Sequence, residues 1–372
     1  MIDRLELFCK QNQCYNHFPR CFLYTRELKP APDFPVKNGK PEFGTYNGPF
    51  GHFDIRGMKR PFGNIPMPVV FSDVRILGAM RFLFCDGNNI GEIELFDAGY
   101  MAFMETTLWN RKTKHRIAYR RILFPGELKI PRNFANSVTA CRHPGRFVRI
   151  HSRLQKKIVH ADFDFIGSDS RPPCEGRLEM DLSLPGSADV SSLVPYGVKR
   201  RCMASYQLTG PLHGWISTGF DDHQIQEETG VGFLDVRKAY YSLRTKTSRL
   251  IGLGRLDGRI VSFQLGDRVS HDDSRYNDNI LLVDGRVCPL PPVLITRPYG
   301  VGGEWVIQDT SSMVDLVFTP LSDSARRMSA FVVRTDYHTV YGTFDGVLLT
   351  GEGERLVLKG YPGIAKKILL RI

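Results

Sequence analysis

The chain has 372 residues, of which 50 are Lys or Arg and 39 are Asp or Glu, so its formal net charge is +11. Hydrophobic residues make up 42% of the sequence, which is enough to build a folded core and excludes a disordered chain. No run of about 18 apolar residues occurs, so the sequence predicts no membrane-spanning helix.

Residues 1–40 are predicted to form an N-terminal arm, because the proline-rich stretch 30–41 precedes the main strand pattern. Asp3 and Glu6 lie where a secretion signal carries basic residues, and no apolar segment follows them. We therefore expect an intracellular protein, located in the cytoplasm or in an organelle such as the mitochondrion.

The eight cysteines do not form the framework of a small disulfide-rich domain, because the chain is too long for one. In a reducing compartment we expect free thiols that act as small buried apolar groups. Cys9, Cys14 and Cys21 cluster around His17, but their spacing lacks the Cys-x2-Cys unit of structural zinc sites, so we predict no metal site. Nucleotide-binding and serine-hydrolase motifs are also absent from the sequence, and no cofactor is expected.

Short strand-like runs separated by glycine, proline and Asx-Gly pairs dominate the chain beyond the arm. Asp257-Gly258, Asp284-Gly285 and Asp345-Gly346 are such pairs, and they supply the positive φ angles of two-residue hairpin turns. Helical stripes longer than about three turns are absent. The pattern predicts an all-β protein with few short helices.

Two antiparallel barrel or sandwich halves are predicted, joined at a loop near residues 185–193 that is rich in Gly, Ser and Asp. The first half covers 41–185 and the second covers 193–372. The segments 43–48 and 341–346 both follow the order aromatic, Gly, Thr, aromatic, Asx, Gly, which is expected either for two related halves or for two unrelated hairpins.

The basic charge is concentrated in residues 101–160, which carry fourteen basic and two acidic residues. In the strand-like run 146–154, Val148 and Ile150 alternate with Arg149 and Arg153, which indicates one apolar and one basic face. A basic stripe suits an RNA backbone or an acidic protein partner, and a solvated outer face is the alternative. The candidate anion or nucleic-acid contacts are Arg116, Arg120, Arg121, Arg149, Arg153, Lys156 and Lys157.

Several blocks of the second half, taken in order and spacing, resemble the family called domain of unknown function 2804. The blocks are 196–204, which includes Lys199, Cys202 and Met203, followed by 232–235, 258–266, 276–285, 305–320, 340–346 and 360–363. The resemblance covers 196–372 and is fainter through about 60–180. It implies two lipocalin-like halves, since the family is similar in general shape to tandem lipocalin-like proteins that include carotenoid hydratases.

Two departures from the family pattern affect the expected pocket. A tryptophan- and glycine-rich run of the family is replaced here by residues 236–241, and the family's final Glu and Trp are replaced within 364–371. If that run lines a pocket in relatives, this chain has changed or lost the lining. Any small ligand is still expected in the second half, where the family-like residues lie.

The best candidate for catalysis is Asp235, with Tyr241 as its partner. Asp235 lies in the apolar run 233–236, where burial is expected to raise the pKa of its carboxyl group, as an acid that protonates a double bond requires. The alternative is a structural ion pair with Arg237 or Lys199. The candidate ligand-binding residues are Lys199, Tyr240, Asn279, His213 and Trp305.

Three functions from different classes follow from these observations. The first is a non-catalytic lipocalin-like β protein that binds a hydrophobic ligand or serves as a structural or interaction subunit, favoured by the missing catalytic motifs and the altered tryptophan run. The second is a hydratase or isomerase that acts on a hydrophobic substrate. The third is a structural component of a ribonucleoprotein or other large assembly, contacting it through the basic face of residues 101–160.

Overall fold

A computed structural model describes residues 23–63, 68–169, 171–197, 201–219, 221–242, 244–267, 269–330 and 333–371, without the side chains of 328–330, 333, 334 and 371. The cluster of Cys9, Cys14, His17 and Cys21, most of the predicted arm, and the candidate ligand-binding residue Lys199 lie outside the described residues. No helix within the described ranges is both long and apolar enough to cross a membrane.

Alternating apolar residues and frequent turn residues produce an almost entirely β structure, as the sequence predicts. The strands up to residue 240 are β1 (Leu28–Pro30), β2 (Val36–Lys37), β3 (Lys40–Pro41), β4 (Gly44–Asn47), β5 (Ile76–Cys85), β6 (Asn89–Asp97), β7 (Ala102–Asn110), β8 (Arg116–Leu123), β9 (Ser137–His143), β10 (Arg146–Arg153), β11 (Ile158–Phe165), β12 (Cys174–Asp181), β13 (Ala188–Pro195), β14 (Cys202–Ser217), β15 (Asp222–Ile225) and β16 (Val231–Tyr240). A one-turn helix α1 (Val69–Asp73) precedes β5, and a 3-10 turn (Leu154–Lys156) follows β10.

The remaining strands form a second set. They are β17 (Arg244–Leu256), β18 (Arg259–Gly266), β19 (Ile280–Val283), β20 (Arg286–Pro289), β21 (Val293–Thr296), β22 (Trp305–Asp309), β23 (Val314–Ala330), β24 (Val333–Leu349) and β25 (Arg355–Arg371).

Two large sheets, each curled into a half-barrel, organise these strands, and this confirms the predicted fold class. The first has fourteen strands with the main order β8-β7-β6-β5-β16-β14-β12-β11-β10-β9, and the second has nine in the order β20-β19-β18-β17-β25-β24-β23-β22-β21. Strands β2 and β3 form a separate two-stranded sheet. The sheet changes between β16 and β17, whereas the predicted domain boundary near residues 185–193 stays a prediction.

Each sheet curls around its own apolar core, and a third apolar cluster joins the two. The third cluster packs Leu83 and Phe233 of the first sheet against Ile251, Leu282 and Tyr341 of the second. All five cysteines in the described residues are free and buried, as expected for small apolar groups.

The predicted Asx-Gly hairpins have mixed outcomes. Asp257-Gly258 is confirmed as a two-residue turn between β17 and β18, with φ angles of 50° and 78°. Asp284-Gly285 is confirmed as a two-residue turn between β19 and β20, with φ angles of 47° and 81°. The turn predicted at Asp345-Gly346 is wrong, because this pair lies within β24 at a β-bulge. The bulge is held by the backbone N–H of Gly360, which donates to the Asp345 carboxylate at 2.8 Å.

Candidate ligand-binding site

One row of directly opposed charged residues crosses the first sheet on the face that meets the second sheet. From β16 to β8 the register places Asp235, Arg81, Glu94, Glu105 and Arg120 beside one another. Arg81 contacts Glu94 at 2.9 Å and Asp235 at 3.1 Å, and Arg120 contacts Glu105 at 3.0 Å. Cross-strand neighbours lie close enough to pair, so the row is largely an ion-pair ladder.

The second sheet supplies charges that complete this ladder. The Arg326 guanidinium contacts Glu94 at 3.0 Å and Glu105 at 3.1 Å, which compensates for the two adjacent carboxylates. The Tyr337 hydroxyl donates to Glu94 at 2.6 Å, and the Lys366 ammonium lies 3.3 Å from Glu94 and donates to the Tyr337 oxygen at 3.2 Å. A buried charged layer therefore joins the sheets next to the apolar cluster.

The electrostatics of this layer follow from burial and from close cations. Burial favours the neutral form of Glu94, but Lys366, Arg81 and Arg326 hold the pKa of its carboxyl group well below the usual range. Burial also disfavours the charged form of Lys366, yet Glu92 and Glu94 raise the pKa of its ammonium above the ordinary value. Buried charges of this kind persist only when they are paired, so the layer depends on each member.

Asp235, the predicted catalytic acid, lies within this layer and contacts three guanidinium groups. The distances are 3.1 Å to Arg81, 2.8 Å to Arg237 and 3.7 Å to Arg249. Arg237 also pairs with Asp278, which lies just before β19 of the second sheet. The carboxylate oxygens of Asp235 therefore act as acceptors for arginine, and the ion pair with Arg237 is present.

A cavity of about 770 Å³ lies beside the charged layer, between strands β5–β8 of the first sheet and β23–β25 of the second. Its volume is in the range of small-molecule pockets. Its floor is buried, with Glu94 and Ala98 each 2% exposed, and its rim is open, with Ile122 59% exposed. Its apolar walls include Phe96, Ala98, Met101, Phe103, Ile122, Ile368 and Leu370.

The polar lining of the cavity is rich in arginine. The lining arginines are Arg81, Arg120, Arg121, Arg146, Arg326 and Arg327, and Glu94 is the one carboxylate among the lining residues. Within the described part of the chain, no carboxylate lies within ion-pair distance of Arg121 or Arg146. The Arg121 Nε is buried without a hydrogen-bond partner, and Arg146 donates to the Arg120 carbonyl at 2.9 Å. The cavity thus contains cationic groups that are available to an anion.

The two tyrosines predicted next to Asp235 lie on opposite faces of the sheet. Tyr241 lines the cavity. Tyr240 points into the core of the first sheet, where its hydroxyl contacts the Asp73 carboxylate at 2.8 Å and donates to the Ile55 carbonyl at 3.0 Å. Adjacent residues of a strand face opposite sides, which separates the pair.

The other predicted ligand-binding residues do not meet at the cavity. His213 lies on the outer face of the first sheet, 3.9 Å from Glu179. Asn279 is buried before β19, and its side-chain amide donates to the Pro291 carbonyl at 2.9 Å. Trp305 is fully buried in the core of the second sheet.

The interior of the second sheet, where a ligand was expected, is filled by aromatic side chains. The ring centroids of Trp305 and Phe318 are 6.0 Å apart, those of Phe318 and Phe344 are 4.8 Å apart, and those of Phe263 and Phe344 are 5.0 Å apart. The cavity of about 770 Å³ therefore lies between the two sheets and not within the second half-barrel.

The basic segment contributes to two different surfaces. Strand β10 alternates as predicted, with Val148 and Ile150 buried and Arg149 and Arg153 on the other face, where Arg149 pairs with Asp162 at 2.6 Å. The other candidates separate into residues at the sheet interface and exposed residues. In edge strand β8, Arg116 and Arg120 lie on the face that meets the second sheet. Arg121, opposite Met104 of β7, lies on the other face of that strand and is also among the residues that line the cavity. Lys156 and Lys157 are exposed near the end of β10.

No motif in the sequence marks Glu94, Arg326, Tyr337 or Lys366 as a site residue. The available indication was the placement of charged residues inside strand-like runs, such as the Glu-Ile-Glu of 92–94. Such alternation is typical of a solvated sheet face, so it did not distinguish burial from exposure. Among the residues that the structure describes, no group of three or more His, Cys, Asp or Glu side chains is arranged to hold a metal ion.

Comparisons with known proteins identify a family, and the similar solved structures include a hydratase and an AttH candidate. A family model described as domain of unknown function DUF2804 matches residues 39–371. Kievitone hydratase from Nectria haematococca is 7% identical, with a TM-score of 0.43 and coverage of 79% of this chain and 88% of that one. An AttH candidate from Nitrosomonas europaea is 14% identical, with a TM-score of 0.40 and coverage of 79% and 91%. No curated protein sequence matches.

Proposed function

This chain belongs to the family described as domain of unknown function DUF2804, and we propose that it is a binding protein whose inter-sheet cavity takes an amphipathic small molecule with an anionic head group. The observation that carries this proposal is a cavity with apolar walls that also contains Arg121 and Arg146, two cations without a carboxylate partner among the described residues. A binding role is the first of the three functions that the sequence predicts.

The apolar walls support a hydrocarbon portion in the ligand. Phe96 lies on β6 and Met101 in the turn that follows it, whereas Ile368 and Leu370 lie on β25 of the second sheet, so these residues would cover an extended chain from two sides. Each methylene group removed from water stabilises a complex by about 0.8 kcal/mol, so a chain of several methylenes would dominate the affinity.

The free arginines support the anionic head group. A guanidinium group binds a carboxylate or phosphate through two parallel hydrogen bonds, which are stronger than neutral ones. Arg121 is partly buried, and Arg146 is fixed by its bond to the Arg120 carbonyl. Both are therefore partly desolvated, and Arg146 is also oriented before a ligand arrives, which lowers the cost of binding.

A fluorescence titration with a polyene fatty acid and with its methyl ester tests this proposal. We expect Arg121→Gln with Arg146→Gln to weaken binding of the acid by about 1.5 to 3 kcal/mol, or roughly tenfold or more, and to leave the ester unchanged. Arg153→Gln on the outer face of β10 is the matched control. Equal effects on acid and ester, or no saturable binding by the natural chain, would contradict the proposal.

A second candidate, a hydratase or isomerase that acts on the bound molecule, is favoured by the position of Tyr337. Its ring lines the cavity, while its hydroxyl lies between the Glu94 carboxylate and the Lys366 ammonium, a hydrogen-bonded chain through which a proton could move. Burial raises the pKa of Tyr337 to about 12, so the hydroxyl is a proton donor at neutral pH. Asp235 would act from behind Arg81, with Tyr241 at the cavity wall.

Liquid chromatography with fragment-ion mass spectrometry separates the two candidates, because it resolves double-bond isomers of equal mass when an unsaturated fatty acid is incubated with the protein. Enzymatic function predicts an added water molecule or a shifted double bond, and loss of this product in Tyr337→Phe with binding retained. Recovery of unchanged ligand from a protein that binds it would favour the binding role. Assembly with RNA or an acidic protein through the exposed basic residues of 101–160 stays a prediction.

A further inference from the structure

The short helix α1 exposes an unusual amount of apolar surface. Val70 is 73% exposed, Phe71 and Val74 are each 66% exposed, and Val69 is 43% exposed, while Ser72 is the buried residue of the helix. Isolated exposed apolar residues are ordinary, but four within six positions form a contiguous patch of the kind that marks an interaction surface.

This patch is continuous with the rim of the inter-sheet cavity. The Val74 carbonyl lies 3.7 Å from the position that a Cβ atom at Gly99 would occupy, so the end of α1 packs beside the turn between β6 and β7. The next residue of that turn, Tyr100, is 43% exposed and lines the cavity, as does Ile122. The apolar surface therefore extends from α1 over Tyr100 to the cavity opening.

Basic residues flank the patch. The segment before α1 exposes Arg56, Lys59 and Arg60, and the Gly57 N–H donates to the Asp73 carboxylate at 3.3 Å, which attaches that segment to the helix. Of these, Arg56 is paired with a carboxylate, whereas no ion pair with Lys59 or Arg60 occurs among the described residues. An apolar protrusion with a basic border is the chemistry that binds an anionic lipid surface.

We propose that α1 docks this protein on membranes that contain anionic lipids, with the cavity rim facing the bilayer. Val70 and Phe71 enter the boundary between head groups and acyl chains, and the basic border contacts lipid phosphates. An amphipathic ligand then passes between bilayer and cavity without crossing water. The transfer step rests on the proposed ligand-binding function, whereas the docking step does not.

Co-sedimentation of the full chain with lipid vesicles tests the docking. We expect binding to vesicles of phosphatidylcholine mixed with phosphatidylglycerol, and weaker binding to phosphatidylcholine alone. Val70→Asp with Phe71→Asp should reduce the partition coefficient at least about tenfold, because both apolar contacts are replaced by charge. The matched control is Leu294→Asp with Tyr299→Asp, which alters apolar residues that are 58% and 82% exposed, in edge strand β21 and in the loop that follows it.

A parallel titration with the soluble fatty-acid probe separates failure of docking from failure of the proposed function. The α1 variant should keep probe binding and lose vesicle binding, whereas Ala98→Phe, or Ile122→Trp at the rim, should lose probe binding and keep vesicle binding. Unchanged vesicle binding by the α1 variant would overturn the proposal. Sedimentation velocity showing a dimer that the α1 substitutions dissociate, without vesicle binding, would also overturn it, since the patch would then contact a second copy.

Discussion

Replacing Glu94 by Gln tests whether the two sheets depend on the buried charged layer. The substitution keeps the size and one acceptor oxygen of the side chain and removes its negative charge. The carboxylate lies 2.9 Å from Arg81, 3.0 Å from Arg326 and 3.3 Å from Lys366, and all four groups are largely buried. Without the charge, three buried cations lose their shared partner.

The expected loss of stability follows from removing one member of a buried ion pair. Removing one member of a buried pair destabilises a protein by about 3 to 5 kcal/mol. Arg81 keeps Asp235, Arg326 keeps Glu105 and Lys366 keeps Glu92, so we expect a loss at the lower end, about 3 kcal/mol. Glu352→Gln is the control, since that carboxylate is 73% exposed and pairs with Arg286 at 2.7 Å. An exposed pair contributes at most about 1 kcal/mol, so the control should change stability little.

Urea unfolding at neutral pH measures both free energies of unfolding. The effect should also depend on pH in a known direction, because the pKa of Glu94 is lower in the folded chain than the value of about 4.3 expected in the unfolded chain. The stabilisation by the Glu94 carboxylate is complete when the pH is above the pKa of the unfolded chain, and it is lost as the pH falls towards the pKa of the folded chain. The difference between wild type and Glu94→Gln should therefore shrink in acid. Losses of similar size for Glu94→Gln and Glu352→Gln would refute the reasoning.

Three further predictions concern other parts of the molecule. Burial lowers the pKa of Lys238 from 10.5 to about 8, so the unfolded chain binds this proton more tightly than the folded chain does. The free energy of unfolding measured in urea should therefore rise between pH 8 and pH 10.5, and it should rise more steeply for the wild type than for Lys238→Met. If the basic face contacts RNA, Lys156→Glu with Lys157→Glu should reduce the slope of log affinity against log salt by roughly one per lysine in filter-binding assays, and an unchanged slope would indicate a solvated surface. Gly91→Ala places a Cβ atom 2.1 Å from the Phe84 ring and should destabilise the first sheet by about 1 to 3 kcal/mol in thermal unfolding, whereas a neutral result would mean that the ring moves freely.

Local chemistry made the fold class predictable from the sequence. Asp257-Gly258 and Asp284-Gly285 adopt the positive φ angles of their turns because short Asx and Gly residues tolerate them. Asp345-Gly346 has the same composition but lies within a long strand, where pairing with both neighbouring strands outweighs the turn preference.

The candidate site was less predictable because it depends on contacts between residues that are distant in the sequence. Arg81 meets Asp235 only because β5 lies beside β16, a pairing that no local pattern determines. Glu94 lies on a face that would be solvated if the first sheet stood alone, and it is buried because the second sheet covers it. The resemblance predicted that any small ligand lies in the second half, whose core is filled by Phe344 and its neighbours.

A crystal structure of the protein with a brominated fatty acid tests the central proposal most directly, because anomalous scattering locates the bromine. We predict a bromine peak between the apolar walls near Phe96 and Leu370, with the carboxylate bound by Arg121 or Arg146. A bromine peak inside the second half-barrel or on the outer surface, or a cavity that stays free of ligand in crystals prepared with excess fatty acid, would contradict the account.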